Sequence, residues 1–229
     1  MMVMKTLITL IVMSALLFAG CSVDNYDEPE LVIEGAVYDQ ATMGDAEPAL
    51  IPTQAPNGIK IRMYESGYTQ PIDFWCSASG RFRNERVFAG EYNITVEGPF
   101  IVEESDAVIV SVPTDKKINF YVEPYLRIQA DAVKNGSNVD VKFTITRSDQ
   151  WPESLVQYAV LYSWTEGVNY NSFSSRQLFD VSDDSSILGE EQTFTISDID
   201  WNRPVFVRVA AITSGTDQYN YSEVIEVKE

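Results

Sequence analysis

The stretch Val139-Asp140-Val141-Lys142-Phe143-Thr144-Ile145-Thr146 alternates apolar and polar residues without a break. Successive side chains of an extended chain point to opposite faces. One face therefore collects Val139, Val141, Phe143 and Ile145, and the other Asp140, Lys142, Thr144 and Thr146. On a helix the same residues would be spread around the whole circumference, so the run reads as a half-buried antiparallel strand. Asn135-Gly136 just upstream is the dipeptide that a tight hairpin turn prefers, because both central residues of that turn need positive φ.

Working outward, the same period recurs along the chain. Downstream, Tyr158, Val160 and Tyr162 share a face, as do Val205, Val207, Val209 and Ala211. Upstream, the sets are Ile59, Ile61 and Met63; Tyr92, Ile94 and Val96; Val108, Val110 and Val112; and Ile118, Phe120 and Val122. Turn signals separate them at Pro56-Asn57-Gly58, Ser79-Gly80, Ala89-Gly90 and Gly98-Pro99. No amphipathic helical pattern follows residue 30. The fold class is all-β, with two tandem β-sandwich domains over residues 31–124 and 125–229. Pro124 interrupts the alternation and marks the boundary. Tyr125 resumes almost at once, so a short linker and a fixed angle between the domains are expected.

The chain opens with an export signal over residues 1–20: Lys5, then an apolar run from Leu7 to Phe18, then the small residues Ala19 and Gly20 before Cys21. That run is shorter than a membrane-spanning helix requires. Leu17-Phe18-Ala19-Gly20-Cys21 resembles a bacterial lipobox, with Phe18 where leucine is usual, which implies lipidation at Cys21. Two or more acyl chains suffice for stable anchoring, so a membrane is an expected partner. Residues 21–30 comprise this cysteine and an acidic tether. Cys76 is then the only other cysteine, which leaves no disulfide framework, and its strand-like setting reads as a buried small hydrophobe. With 34 acidic against 16 basic residues, the net charge of −18 opposes nucleic acid as a partner.

There is no histidine, which removes histidine-based triads, histidine metal sites and histidine pH switches. Carboxylate-pair chemistry needs only acids but also a deep cleft, so a glycosidase is the least favoured reading and no catalytic residue is assigned. No cofactor motif is present. Asp180, Asp183 and Asp184 supply part of a calcium shell without the spacing of an EF-hand loop, and read as a solvated acidic loop. Trp151, Tyr170, Trp201 and Tyr219 lie in loop-like stretches among polar neighbours. They are the candidate sugar-stacking residues; the competing reading is that each caps the end of a core. Trp75 and Trp164 lie in strand-like runs and are expected in the core.

Several motifs resemble known families. Gly80-Arg81-Phe82, Ala89-Gly90-Glu91-Tyr92 and the opening strand Ile33–Asp39 are similar to carboxypeptidase-regulatory-like (transthyretin-like) sandwiches. Tyr158-x-Val160-x-Tyr162, the stretch Ile199 to Ala211 and Tyr221-Ser222-Glu223-Val224 resemble a fibronectin type III domain, with Val205 where the corner tyrosine normally stands. The lipobox, the tether, Asp73-Phe74-Trp75, Phe82-Arg83-Asn84 and Pro124-Tyr125-Leu126-Arg127, in that order, resemble a two-domain lipoprotein family of Bacteroidetes encoded beside SusC/SusD-like glycan-import components. That resemblance implies an outer-membrane, surface-exposed, non-enzymatic lipoprotein, with polysaccharide and SusC/SusD-like proteins as partners. It assigns no binding residues. The alternative is a structural or adhesive spacer.

Overall fold

The computed structural model describes residues 28–103, 107–115 and 117–228. The export signal, Cys21 and most of the acidic tether lie outside them.

The first sandwich contains β1 (Leu31–Asp39), β2 (Lys60–Glu65), β3 (Ile72–Trp75), β4 (Arg81–Val87), β5 (Gly90–Glu97), β6 (Phe100–Ile101), β7 (Val108–Val112) and β8 (Lys117–Pro124). One sheet has the order β4-β1-β8-β6 and the other β3-β2-β5-β7. β1 and β8 run parallel, in register from Glu34 opposite Lys117 to Asp39 opposite Val122. The second sandwich contains β9 (Leu126–Asn135), β10 (Asn138–Arg147), β11 (Leu155–Ser163), β12 (Ser175–Asp180), β13 (Glu191–Ile196), β14 (Val205–Thr213), β15 (Asn220–Tyr221) and β16 (Ile225–Val227). Its sheets are β13-β10-β9 and β12-β11-β14-β15, with β16 also paired to β14.

The alternation read from the sequence is the alternation of burial. Ile59, Ile61, Met63, Tyr92, Ile94, Val96, Ile118, Phe120 and Val122 fill the first core. Val139, Val141, Phe143, Ile145, Val205, Val207 and Val209 fill the second. The hairpin forms one residue later than the Asn-Gly signal places it: Asn135 pairs with Asn138, so Gly136 and Ser137 make the turn, and of the two only Gly136 takes a positive φ, 63°. Gly35 has a different reason to be glycine: a Cβ on it would stand 1.7 Å from the Ile118 carbonyl oxygen of the neighbouring strand.

One burial pattern exceeds a half-buried sheet. β11 and β14 are covered on both faces, so Ala159, Leu161 and Ala210 join Val168 and Tyr221 in a third, smaller cluster. The cover is Val168 and Tyr170 of the 164–174 loop together with Tyr219, Tyr221 and Val224. Only Tyr125 separates β8 from β9, and many bonds cross the junction. Arg127 bonds Asp39 (Nη2 to Oδ1, 2.7 Å) and Glu123 (Nη2 to Oε2, 2.8 Å). The Asn220 side chain accepts from the Leu126 amide and donates to the Pro99 carbonyl. The Tyr221 hydroxyl donates to Gln54 Oε1 at 2.9 Å. Burial works to raise the Glu123 carboxyl, but hydrogen bonds from Arg127 and Ser148 hold it below the ordinary carboxylate range.

Candidate functional site

A sugar-stacking aromatic must offer a free ring face beside groups that can bond hydroxyls. Of the four loop aromatics expected to do so, two cap the second core. Trp151 stacks on Tyr125 at 3.7 Å and donates from Nε1 to Thr213 Oγ1 at 2.9 Å. It also borders a depression of about 410 Å³. Trp201 packs against the second core, with the Lys134 ammonium over its ring at 4.4 Å.

The other two meet each other. Tyr170 and Tyr219 stack at 4.2 Å, and the Arg176 guanidinium lies 4.2 Å from the Tyr170 ring. Both hydroxyls donate to Gln157 Oε1, Tyr219 at 2.7 Å and Tyr170 at 3.4 Å. Burial pushes the Tyr219 phenol well above its usual range, helped by Tyr170. The pair borders a polar cleft of about 340 Å³ at the junction, together with Gln54 and Asn57. With Tyr170 held between tyrosine and arginine, the pair works as a strut.

The acidic loop is also committed internally. Asp180 accepts from Gln157, Asp183 caps the Ser185 amide, and Asp184 accepts from Arg147 and from the Leu155 amide. No cluster able to hold a metal ion exists among the described residues.

Trp75 departs from expectation: it is 38% exposed, whereas its strand-like context predicts a core position. It ends β3, an edge strand, and lies opposite Lys60 while its neighbour Phe74 lies opposite Ile61. Phe74 packs on the core, so alternation turns Trp75 outward. The Lys60 ammonium sits 5.1 Å from the indole centroid. Trp164, by contrast, packs partly buried against the second core.

Trp75 borders a groove of about 660 Å³ on the first sandwich. Glu34 and Ala36 on β1, Arg81 and Arg83 on β4, and Lys117 and Asn119 on β8 form one side of it, on register-matched neighbouring positions. Ala55, Pro56 and Ser77 close the rest, with Cys76 and Phe82 behind them. The Cys76 thiol is buried and pushed up to about 12, so it contributes apolar packing and no thiolate at neutral pH. Arg83 bridges Glu34 and Glu85, while Arg81 and Lys117 have no side-chain partner among the described residues. A pyranose ring needs one apolar face and a fringe of donors and acceptors; Trp75 with Ser77, Asn119, Glu34 and the cations provides both.

The second sandwich holds the walls of this groove. Gln54, just before the Ala55-Pro56 wall, accepts from Tyr221. Ala78, just after Ser77, accepts from Arg208 Nη2 through its carbonyl at 3.3 Å. Gly80 ends the same connection with φ 77°, and a Cβ there would stand 2.4 Å from the Ile51 carbonyl oxygen.

Residues 37–123, which is nearly all of the first sandwich, match the model of the N-terminal domain of a protein of unknown function, DUF3823. A solved DUF3823 protein of Bacteroides uniformis shares 26% identity and a TM-score of 0.73, covering 87% of this chain and 99% of its own. One from Parabacteroides merdae shares 22% identity and a TM-score of 0.72, covering 88% and 100%. A further B. uniformis structure, named as a candidate carbohydrate-binding protein, shares 22% identity and a TM-score of 0.69, covering 88% and 100%. No curated protein matches the chain. Residues 37–123 are thus similar to the DUF3823 N-terminal domain, and the chain shares the fold of solved DUF3823 proteins along most of its length.

Proposed function

We propose that this chain is a non-enzymatic, carbohydrate-binding lipoprotein of the bacterial surface, accessory to a SusC/SusD-like glycan-uptake system, with the Trp75 groove as its sugar site. The observation that carries the site is an exposed indole at the rim of a groove of about 660 Å³, ringed by hydrogen-bonding side chains. The name borne by one of the similar B. uniformis structures supports the ligand class. The lipobox at Cys21 supports the anchoring. The absence of histidine and the shallow form of the groove favour retention of a polymer over its cleavage.

The alternative, a spacer without a small ligand, draws support from the four loop aromatics, each of which has a protein group on a ring face. Affinity electrophoresis of residues 28–229 through gels containing a panel of polysaccharides separates the two. Retardation by at least one glycan is expected, and its loss in Trp75→Ala with the melting temperature held within about 2 °C, since the side chain is surface-borne. No retardation by any glycan would leave the spacer reading. Retardation that survives Trp75→Ala would move the site elsewhere.

A further inference from the structure

The chain carries 34 acidic residues against 16 basic ones, yet the Trp75 groove inverts that balance. Its lining includes the cations Arg81, Arg83 and Lys117 and a single carboxylate, Glu34. That carboxylate is already bonded to Arg83, so it offers little negative field of its own. Arg81 lies opposite Ala36 on one side of β1, and Lys117 lies opposite Glu34 on the other. The two therefore flank the floor of the groove from both neighbouring strands. Nothing among the described residues neutralises either one. Elsewhere in the molecule, Arg62 and Arg147 have carboxylate partners. Two uncommitted cations beside an exposed indole, on an otherwise acidic surface, form a receptor for a negatively charged ring.

We propose that the ligand of this groove is an acidic polysaccharide, whose uronate carboxylates bond Arg81 and Lys117 while a sugar face lies on Trp75. Arginine offers a carboxylate two parallel N–H donors, and lysine offers a point charge on a flexible stem; together they suit a repeating carboxylate. The surrounding negative field repels the rest of a polyanion, so binding is confined to the groove and weakens with salt. This inference rests on the carbohydrate-binding reading above and adds the ligand's charge to it.

Polygalacturonate and its fully methyl-esterified form share one backbone and differ in charge, so they serve as matched probes in affinity electrophoresis and titration calorimetry. Retention by the acid and not the ester is expected, with affinity falling as salt rises. The double variant Arg81→Gln/Lys117→Gln should lose about tenfold in affinity, while Lys142→Gln on the second sandwich leaves it unchanged. Both substituted side chains are exposed, and an unaltered melting curve shows that the variant is folded. Equal binding of acid and ester, or binding of neutral glycans alone, would overturn the acidic-ligand inference and leave the carbohydrate reading standing. An undiminished double variant would overturn it also. Binding of no glycan of any charge would overturn both.

Discussion

Arg208 is 1% exposed and sits between Val207 and Val209 on a strand whose alternate residues fill the second core. Its guanidinium donates to the Ser222 carbonyl at 2.9 Å and to the Val168 and Ala78 carbonyls at 3.3 Å each, with the Tyr221 ring 4.4 Å away. Burial draws the group down to about 10, so it remains charged at neutral pH, held by carbonyl dipoles and a ring face. Methionine at this position would fill the space and leave three carbonyls unanswered. Arg208→Met should therefore cost about 3 kcal/mol, read from the urea midpoint. A midpoint at the wild-type value would mean that water replaces the guanidinium at no net cost. In the sequence Arg208 looks like an ordinary outward-facing polar residue of an alternating strand. What covers it is a loop about forty residues upstream in the chain and a carbonyl of the other sandwich, and no local pattern encodes that. Trp75 illustrates the opposite case. Its outward direction was legible from parity with Phe74, but a tryptophan in an apolar triplet suggests burial on composition alone.

At the scale of elements, period-two patterning reveals β2, β5, β7, β8, β10, β11 and β14, whereas β1 and β9, nine and ten residues long, carry no clean alternation of burial to be read. It underreports β11 and β14, whose second faces are covered too: Ala159 and Ala210 are too small to signal burial by hydrophobicity. The partnership of Tyr170 with Tyr219 was likewise invisible, since the residues share neither an element nor a sequence neighbourhood. The parallel β1–β8 pair depends on one glycine. Gly35→Ala would push a methyl group against the Ile118 carbonyl, which belongs to the backbone and cannot swing aside. The strands must then part, at a cost of about 3 kcal/mol, measurable as a lowered urea midpoint. An unchanged midpoint would mean that the two strands separate locally without penalty. The groove lies over this pair, so the same substitution should disturb it as well.

For the molecule as a whole, the junction determines how the groove is held. A single residue joins the sandwiches, and the bonds through Arg127, Asn220, Tyr221 and Arg208 tie four different segments of the first sandwich, at Asp39, Pro99, Gln54 and Ala78, to the second. Two of those segments are walls of the groove. The second sandwich, which carries all four loop aromatics that looked like ligand contacts, thus serves as the frame of a groove on its neighbour.

The parallel register of β1 and β8 also governs how the first sandwich bears load. Tension entering at Leu31 and leaving at Pro124 pulls these adjacent strands in opposite directions along their length, so the rungs between them are strained together and not peeled one after another. A polymer tugging on the chain would meet a shear joint. Single-molecule stretching should show a distinctly higher rupture force when the first sandwich is pulled through Leu31 and Pro124 than when it is pulled through Leu31 and Val87, the paired end of the antiparallel β1–β4 ladder, which peels rung by rung. Equal forces in the two directions would mean that the joint does not carry the load.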